Sequence, residues 1–290
     1  MVEGLRRITA PNGGPMTHTG TQSYLLGTGE VALIDAGPDL PAHRAAILDA
    51  LAPGERITHL LATHAHLDHT PLATRLGREL DIPVLAFGRA EDGRRPVMQA
   101  LAGQGRIGGG EGVDADFAPD MTLSDGETVV SPDWTLEVWH TPGHMAGHLC
   151  FLDRERGILF TGDHVMGWAS TLVSPPDGDL TAFMASLRRM QGRCDGLTFH
   201  PGHGEPVVEA ERRIAELIAH REMREAQVMA ALESGPVAVE PLTARIYTDV
   251  APTLLPAAAR NVLAHLIDLT ERGLVRCDGP ISPEATWSRA

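Results

Sequence analysis

The chain has 290 residues and a formal net charge of −14; its 24 basic residues are all arginine. The length suits one large mixed domain with a small appendage, and the charge argues against sequence-independent binding to a phosphate backbone. The three cysteines are widely spaced, which argues against disulfides. The start of the sequence lacks the character of a signal peptide, which argues against export. No run of roughly 18 apolar residues is present, which argues against a membrane partner. The expected location is the cytoplasm.

The N-terminal half alternates between short apolar runs and helical patterns. We predict strands at residues 22–26, 31–35, 57–63 and 83–87, and helices at 40–51 and 71–80. The segment 88–120 is rich in glycine and arginine and has no sustained periodicity. It is predicted to be a long loop or a partly helical insertion, and long loops in compact domains are often functional.

The second half continues the alternation and then becomes helical. Strands are predicted at 135–139, 148–152, 157–160 and 197–199, and helices at 180–190 and 209–232. We place a domain boundary near 205–211, which gives domains of residues 1–208 and 209–290. Helices at 241–247 and 256–272 and a hairpin beginning at Gly273 would complete a small domain of three helices and a wing.

The densest group of candidate metal ligands directly follows the strand at 57–63. His64, His66, Asp68 and His69 form the pattern His-x-His-x-Asp-His. On a helix, positions i and i+2 diverge by about 200°, so His64 and His66 converge only where the chain is extended or tightly looped. The end of a strand supplies that geometry. The pattern therefore predicts a metal site, against the alternative of a solvated polar loop.

Three further segments each place one candidate ligand beside a glycine at the end of a strand. They contribute His144, Asp163 and His203. Seven such side chains suffice for two adjacent cations with open positions for water and substrate. Imidazole suits zinc, iron or manganese, and a carboxylate can bridge two ions. The predicted cofactor is a pair of divalent metal ions, with Zn²⁺ the first expectation.

These segments, over about residues 20–205, resemble the metallo-β-lactamase superfamily. The resemblance implies two groups of three ligands and one bridge: His64, His66 and His144 for one metal; Asp68, His69 and His203 for the other; Asp163 between them. It also implies an α+β fold in which two β-sheets stack between outer helices, an αββα sandwich with the metals at one edge.

The resemblance also narrows the function. Antibiotic-hydrolysing members of the commonest subclass use a cysteine ligand and lack the bridging aspartate, whereas this chain has Asp163 and keeps Cys150 outside the motifs. True β-lactamase activity is therefore not expected. The segments His220–Glu225 and Ala264–Leu266 look similar to the winged-helix domain of the LACTB2-like hydrolases. The best-studied type of that group is described as a single-strand endoribonuclease.

Three functions follow as hypotheses. The first is hydrolysis of a small ester, thioester or lactone by a metal-bridging hydroxide, with Asp68 as the catalytic residue that orients the nucleophile or relays its proton. The second is cleavage of single-stranded RNA. The third is a non-catalytic, metal-stabilised nucleic-acid-binding module.

The charge of the tail favours the first hypothesis. Residues 210–290 contain nine arginines and eleven acidic residues, a net charge of −2, so they lack the basic footprint of a nucleic-acid reader. The expected roles of the tail are packing, formation of a homodimer, or shaping the mouth of a small-molecule site.

Several residues near the motifs keep two interpretations each. Asp35 either orients a metal-binding histidine through its ring N–H or caps a turn. His148 is interpreted as a structural, hydrogen-bonded histidine rather than a ligand. Four arginines in the insertion form either an anion-binding group or, as is more usual, a solvated face: Arg89, Arg94, Arg95 and Arg106.

Overall fold

The computed structural model describes residues 2–107 and 112–290. Within these residues the strands are β1 (Leu5–Thr9), β2 (Gln22–Leu26), β3 (Glu30–Ile34), β4 (Arg56–Leu61), β5 (Val84–Ala86), β6 (Met121–Thr122), β7 (Thr128–Ser131), β8 (Trp134–His140), β9 (Leu149–Asp153), β10 (Ile158–Gly162), β11 (Thr198–Pro201), β12 (Val275–Asp278) and β13 (Thr286–Arg289). The helices are α1 (Pro41–Asp49), α2 (Pro71–Leu80), α3 (Pro96–Gln104), α4 (Leu180–Met190), α5 (Ala210–Ala231), α6 (Val239–Ile246) and α7 (Leu255–Glu271).

The strands form two large sheets and one small hairpin. The first sheet has the order β1-β2-β3-β4-β5-β6 and is antiparallel from β1 to β3 and parallel from β3 to β6. The second has the order β11-β10-β9-β8-β7 and is antiparallel except for the parallel pair β10–β11. Strands β12 and β13 form the separate hairpin.

Apolar side chains fill the space between the two large sheets and the space outside each of them. Tyr24 and Leu61 from the first sheet pack with Phe151 and Phe160 from the second. Helices α1 and α2 cover the outer face of the first sheet, and α4 and the first half of α5 cover that of the second. Strands β2, β9 and β10 are buried at every position, because the layers of the structure cover both faces of each sheet there. The expected αββα sandwich is confirmed.

The residues after α5 form a small helical unit with its own core. Helices α6 and α7, the end of α5 and the hairpin β12–β13 surround the fully buried Trp287. Three helices and a two-stranded wing are the arrangement that the sequence predicts. The insertion contains helix α3, so the interpretation of a partly helical insertion applies. Met98 and Leu101 of α3 pack into this same core. Residues 108–111 of the predicted insertion lie outside the described residues.

Each helix for which the sequence predicts bounds agrees with the observed helix to within two residues at each end; no bounds are predicted for α3. Strands β1, β6 and β7 were not predicted. All three lie at sheet edges, where half-exposed or exposed residues weaken the apolar signal. In the described part of the chain, no helix combines the length and apolarity that crossing a membrane requires.

Candidate metal centre

All seven predicted ligands meet at one edge of the sandwich, because each follows a strand that ends there. The loop between β4 and α2 carries His64, His66, Asp68 and His69, and the loop after β8 carries His144. Asp163 and His203 follow β10 and β11, which are parallel neighbours and therefore end side by side. The sequence separates these residues by up to 139 positions, and the sheet topology brings them together.

The first group consists of three histidines whose ring nitrogens nearly touch. His66 Nδ1 lies 2.9 Å from His64 Nε2 and 3.2 Å from His144 Nε2. Three nitrogens converging on one point are a typical ligand set for one transition-metal ion. The structure thus brings together the three residues assigned by resemblance to one metal.

The second group consists of Asp68, His69 and His203. Asp68 Oδ2 lies 3.2 Å from His203 Nε2 and 3.5 Å from His69 Nε2. One ligand atom from each of the three residues lies within 4.8 Å of the others. This group matches the residues assigned to the second metal.

Asp163 lies between the two groups. Its Oδ2 is 3.7 Å from His144 Nε2 and 3.3 Å from His203 Nε2, and its Oδ1 is 3.7 Å from His69 Nε2. A carboxylate that faces ligands of both groups has the position that a bridging residue needs.

Two buried polar atoms of the site lack a hydrogen-bond partner among the described residues. They are His69 Nε2 and Asp163 Oδ1. Buried polar atoms are rarely left unpaired, because desolvation without a partner costs about 1–3 kcal/mol. Both atoms point into the group of candidate ligands, so divalent cations fit the residues present and would supply the missing partners.

The protonation of the site also suits a cation. Burial, together with the neighbouring His144, lowers the pKa of His66 to about 3, so its ring is neutral and free to bind. At His203 burial lowers the pKa, but the carboxylates of Asp163 and Asp68 outweigh it and raise the pKa to about 11. These two carboxylates therefore attract positive charge, and a metal ion would compete with the proton for the same nitrogen.

Buried neighbours fix the orientation of the ligand side chains. Asp35 accepts hydrogen bonds from Thr63 N (2.7 Å) and Thr63 Oγ1 (2.8 Å) and lies 3.0 Å from His69 Nδ1. The first interpretation of Asp35, as a residue that orients a histidine, agrees with this contact. His148 accepts a hydrogen bond from the Asp163 N–H (3.2 Å), which agrees with its structural interpretation.

Sequence reasoning missed other contacts that hold the ligands. The carbonyl oxygens of Leu172 and Gly20 lie 2.8 Å from His144 Nδ1 and 3.3 Å from His203 Nδ1, and the Thr21 hydroxyl donates to Asp68 Oδ2 at 3.0 Å. Backbone carbonyls carry no residue-type signal, so a pattern search cannot find two of these three groups.

One glycine next to the ligands is required by space. A Cβ atom on Gly202 would lie 2.4 Å from Asp163 Oδ1 and 2.7 Å from His69 Cε1. Both distances are shorter than real Cβ contacts, and both neighbours are candidate ligands. The Pro-Gly-His segment therefore needs glycine so that the backbone can approach the site closely.

Two arginines of the insertion pair with acidic side chains of the protein, which argues against the anion-binding interpretation for them. Arg94 pairs with Asp177 at 2.5 Å, and Arg95 pairs with Asp179 and with Glu271. These contacts fix the insertion to the loop before α4 and to α7.

A cavity of about 610 Å³ opens directly onto the candidate metal centre. Five of the seven candidate ligands line its floor: His66, Asp68, His144, Asp163 and His203. Its volume falls within the range of about 300–1,000 Å³ that is usual for small-molecule sites.

Comparison with known families divides the chain into two matched parts. A family model described as the metallo-beta-lactamase superfamily matches residues 16–203, and a model described as the beta-lactamase associated winged helix domain matches residues 239–287. Both matches agree with the resemblance that the sequence motifs carry, and the second agrees with the three helices and hairpin of the tail.

Two named relatives extend the comparison. The thioesterase pkgB of Emericella nidulans is 33% identical over 78% of this chain and 58% of its own length. The beta-lactamase-like protein 2 homolog of Caenorhabditis elegans is 29% identical over 94% of this chain and 86% of its own length. The chain spans between 58% and 67% of the length of several fungal relatives that it matches.

Two solved structures are also similar. A metallo-beta-lactamase family protein from Thermus thermophilus aligns with a TM-score of 0.76 at 27% identity, covering 99% of both chains. A second structure, described as a di-iron-bound form, aligns with a TM-score of 0.54 at 28% identity, covering 71% of this chain and 96% of its own.

Proposed function

The chain belongs to the metallo-β-lactamase superfamily, and from this we propose that it hydrolyses a small ester, thioester or lactone with the help of two divalent metal ions. The observation that supports this most directly is the meeting of seven histidine and aspartate side chains in one cluster, five of which line a single cavity. Such a ligand set exceeds what a purely structural metal needs, since structural sites are closed by four ligands.

Each side chain has a separate task in this proposal. His64, His66 and His144 would hold one ion, Asp68, His69 and His203 the other, and Asp163 both. When bound, the ions supply a nucleophilic hydroxide at neutral pH and a Lewis acid for the substrate oxygen. Zn²⁺ is the proposed metal; iron and manganese are the alternatives, and the similar di-iron-bound structure makes iron the first of them.

Asp68 is proposed as the catalytic residue. It lines the cavity, and its side chain is 25% exposed, whereas the side chain of the neighbouring carboxylate Asp163 is 10% exposed. Thr21 donates a hydrogen bond to Oδ2, so the carboxylate is held in a fixed direction. From this position Asp68 can orient the attacking water and accept its proton.

The substrate class is proposed from the cavity and from one relative. The described lining contains no arginine, so it offers no guanidinium group that would bind an anionic substrate beside the metal centre. A neutral carbonyl substrate fits such a lining. Thioesters are the first choice among esters, thioesters and lactones, because a relative that is 33% identical is named a thioesterase.

The test is a substrate panel with defined metals. Protein stripped with a chelator and reloaded with Zn²⁺, Mn²⁺ or Fe²⁺ is assayed on thioesters, oxygen esters and lactones. We expect turnover that requires metal, and a fall in kcat/KM of about 10²–10⁴-fold in Asp68→Asn. Asp39→Asn, an exposed aspartate paired with Arg75, is the control and should keep wild-type activity.

Two results would contradict the proposal. One is turnover that survives complete removal of metal, and the other is an Asp68→Asn variant as active as Asp39→Asn. Labelled single-stranded RNA in the same assay tests the alternative nuclease function. Metal-dependent RNA cleavage lost in Asp68→Asn, without thioester turnover, would replace the hydrolase proposal by the nuclease.

A further inference from the structure

The cavity above the candidate metal centre has an apolar wall that comes from the C-terminal unit, the small helical unit formed by the end of α5, helices α6 and α7 and the hairpin β12–β13. The segment between α6 and α7, together with the first turns of α7, contributes Tyr247, Val250, Leu254, Ala257 and Ala258. Arg224 of α5 lies over the Tyr247 ring, 4.2 Å from its centroid, and so supports this wall from behind.

The rest of the cavity lining also includes large apolar side chains. Met16, Leu67 and Trp168 are among them, and they are 51%, 51% and 37% exposed; Leu254 on the first wall is 37% exposed. Large apolar side chains left this accessible around one opening mark a binding surface. The ionisable lining residues described are Tyr247 and the five candidate ligands on the floor.

We propose that this cavity binds the apolar acyl group of the substrate, and that Val250 and Leu254 of the C-terminal unit set the length of acyl chain that is accepted. The proposal rests on the hydrolase function proposed above and names the substrate class for the same site. An acetyl group would leave most of the 610 Å³ unfilled, and each further methylene of an acyl chain can become buried against the apolar lining.

Chain-length dependence is the direct test. kcat/KM is measured with metal-loaded protein on acetyl, butyryl, octanoyl and dodecanoyl thioesters of N-acetylcysteamine. Each methylene that becomes buried should raise kcat/KM by up to about fourfold. We expect octanoyl to exceed acetyl by at least about tenfold. A flat or falling profile would overturn the proposal.

A matched pair of variants locates the effect. Leu254→Asp should lower the ratio of kcat/KM for the octanoyl thioester to kcat/KM for the acetyl thioester by at least about tenfold. Leu274→Asp is the control, since Leu274 lies in the same unit at 40% exposure and does not line the cavity. Leu254 is the N-cap residue of α7, where aspartate is favoured, so the substitution should not disturb folding.

A second variant tests the same wall by filling it. Ala257→Phe adds a ring to the cavity from α7, so it should shift the preferred acyl chain to butyryl or shorter. If Ala257→Phe and Leu254→Asp both keep the wild-type chain-length profile, the wall does not contact the substrate and the proposal fails.

Direct binding separates this proposal from the proposed function. Calorimetry compares octanoate with acetate on metal-loaded protein. Octanoate binding that is lost in Leu254→Asp supports the acyl site even if no ester is hydrolysed. Hydrolysis without a chain-length preference supports the function and rejects the site.

Sedimentation of the wild type and of Leu254→Asp tests whether this surface is instead a contact between two copies of the chain. A dimeric wild type and a monomeric Leu254→Asp would make this surface a contact between two copies and overturn the proposal.

Discussion

Asp35 illustrates how a single buried residue positions a ligand from behind. It directly follows β3 in a left-handed conformation (φ 49°) and is 2% exposed. Its Oδ2 faces His69 Nδ1, so the other ring nitrogen of His69 points toward Asp68 and Asp163. A carboxylate in this position fixes the tautomer of the histidine and strengthens it as a ligand.

The corresponding prediction is that Asp35→Asn weakens metal binding by about 10–100-fold. Asparagine tolerates the left-handed backbone but loses the negative charge that faces His69 Nδ1. Affinity is measured by competition with a chromophoric chelator. Asp153→Asn is the control, because Asp153 is an equally buried aspartate paired with Arg156 at a distance from the site. Equal affinities in the two variants would assign Asp35 a purely structural role.

At the scale of single residues, the sequence predicts those features of the site that depend on residue type and spacing alone. The ligand motifs predict all seven side chains that the structure brings together, although their role as ligands stays a prediction. Asp35 kept two interpretations because its contact with His69 arises from the parallel pairing of β3 with β4, which no local pattern encodes. The carbonyl groups of Gly20 and Leu172 depend on tertiary structure in the same way.

At the scale of elements, the segment 171–173 connects the C-terminal helices with the candidate metal centre. Arg221 of α5 donates to the Thr171 carbonyl, and Asn261 Oδ1 of α7 accepts from Val173 N (3.2 Å) and from Arg221 Nη1 (2.9 Å). The carbonyl between them, that of Leu172, contacts His144 Nδ1. Two helices of the tail therefore hold the backbone that orients His144.

We expect Asn261→Ala to lower metal affinity and kcat together, by about tenfold, because the Val173 N–H and the buried Arg221 each lose an acceptor. Asn261→Asp retains an acceptor oxygen at the same place and should restore both values. The visible spectrum of Co²⁺-substituted protein reports on the ligand geometry in each variant. An alanine variant that loses stability but keeps the wild-type spectrum would contradict a positioning role.

Helix α3 is an element whose bounds the sequence pattern does not predict. The segment 88–120 contains α3, which begins at Pro96 and buries Met98 and Leu101 against the C-terminal core. Helix α3 spans only nine residues with two buried positions, too short for a 3.6-residue period to stand out. Its partner surface comes from residues more than 120 positions later, so only the folded chain reveals the contact.

At the scale of the molecule, α5 links the two cores. Ile214 and Leu217 in its first half pack against the second sheet, while Val228 in its last turns packs with α6 and α7. Helix α3 adds a contact in the opposite direction, from the sandwich to the tail. Shared burial of this kind couples the unfolding of adjacent units, so the chain should unfold in one transition.

Breaking α5 at its centre tests this coupling. Glu222 is exposed there, and its ion pair with Arg188 is exposed on both sides, so Glu222→Ala should be nearly neutral. Glu222→Pro removes a helical hydrogen bond at a cost of about 3 kcal/mol and separates the two halves of the helix.

The measurement is hydrogen exchange at β9 and at α7 in rising concentrations of denaturant. In the wild type and in Glu222→Ala both elements should lose protection at the same denaturant concentration, whereas in Glu222→Pro α7 should lose it first. Separate transitions already present in the wild type would show that the long helix does not couple the two cores.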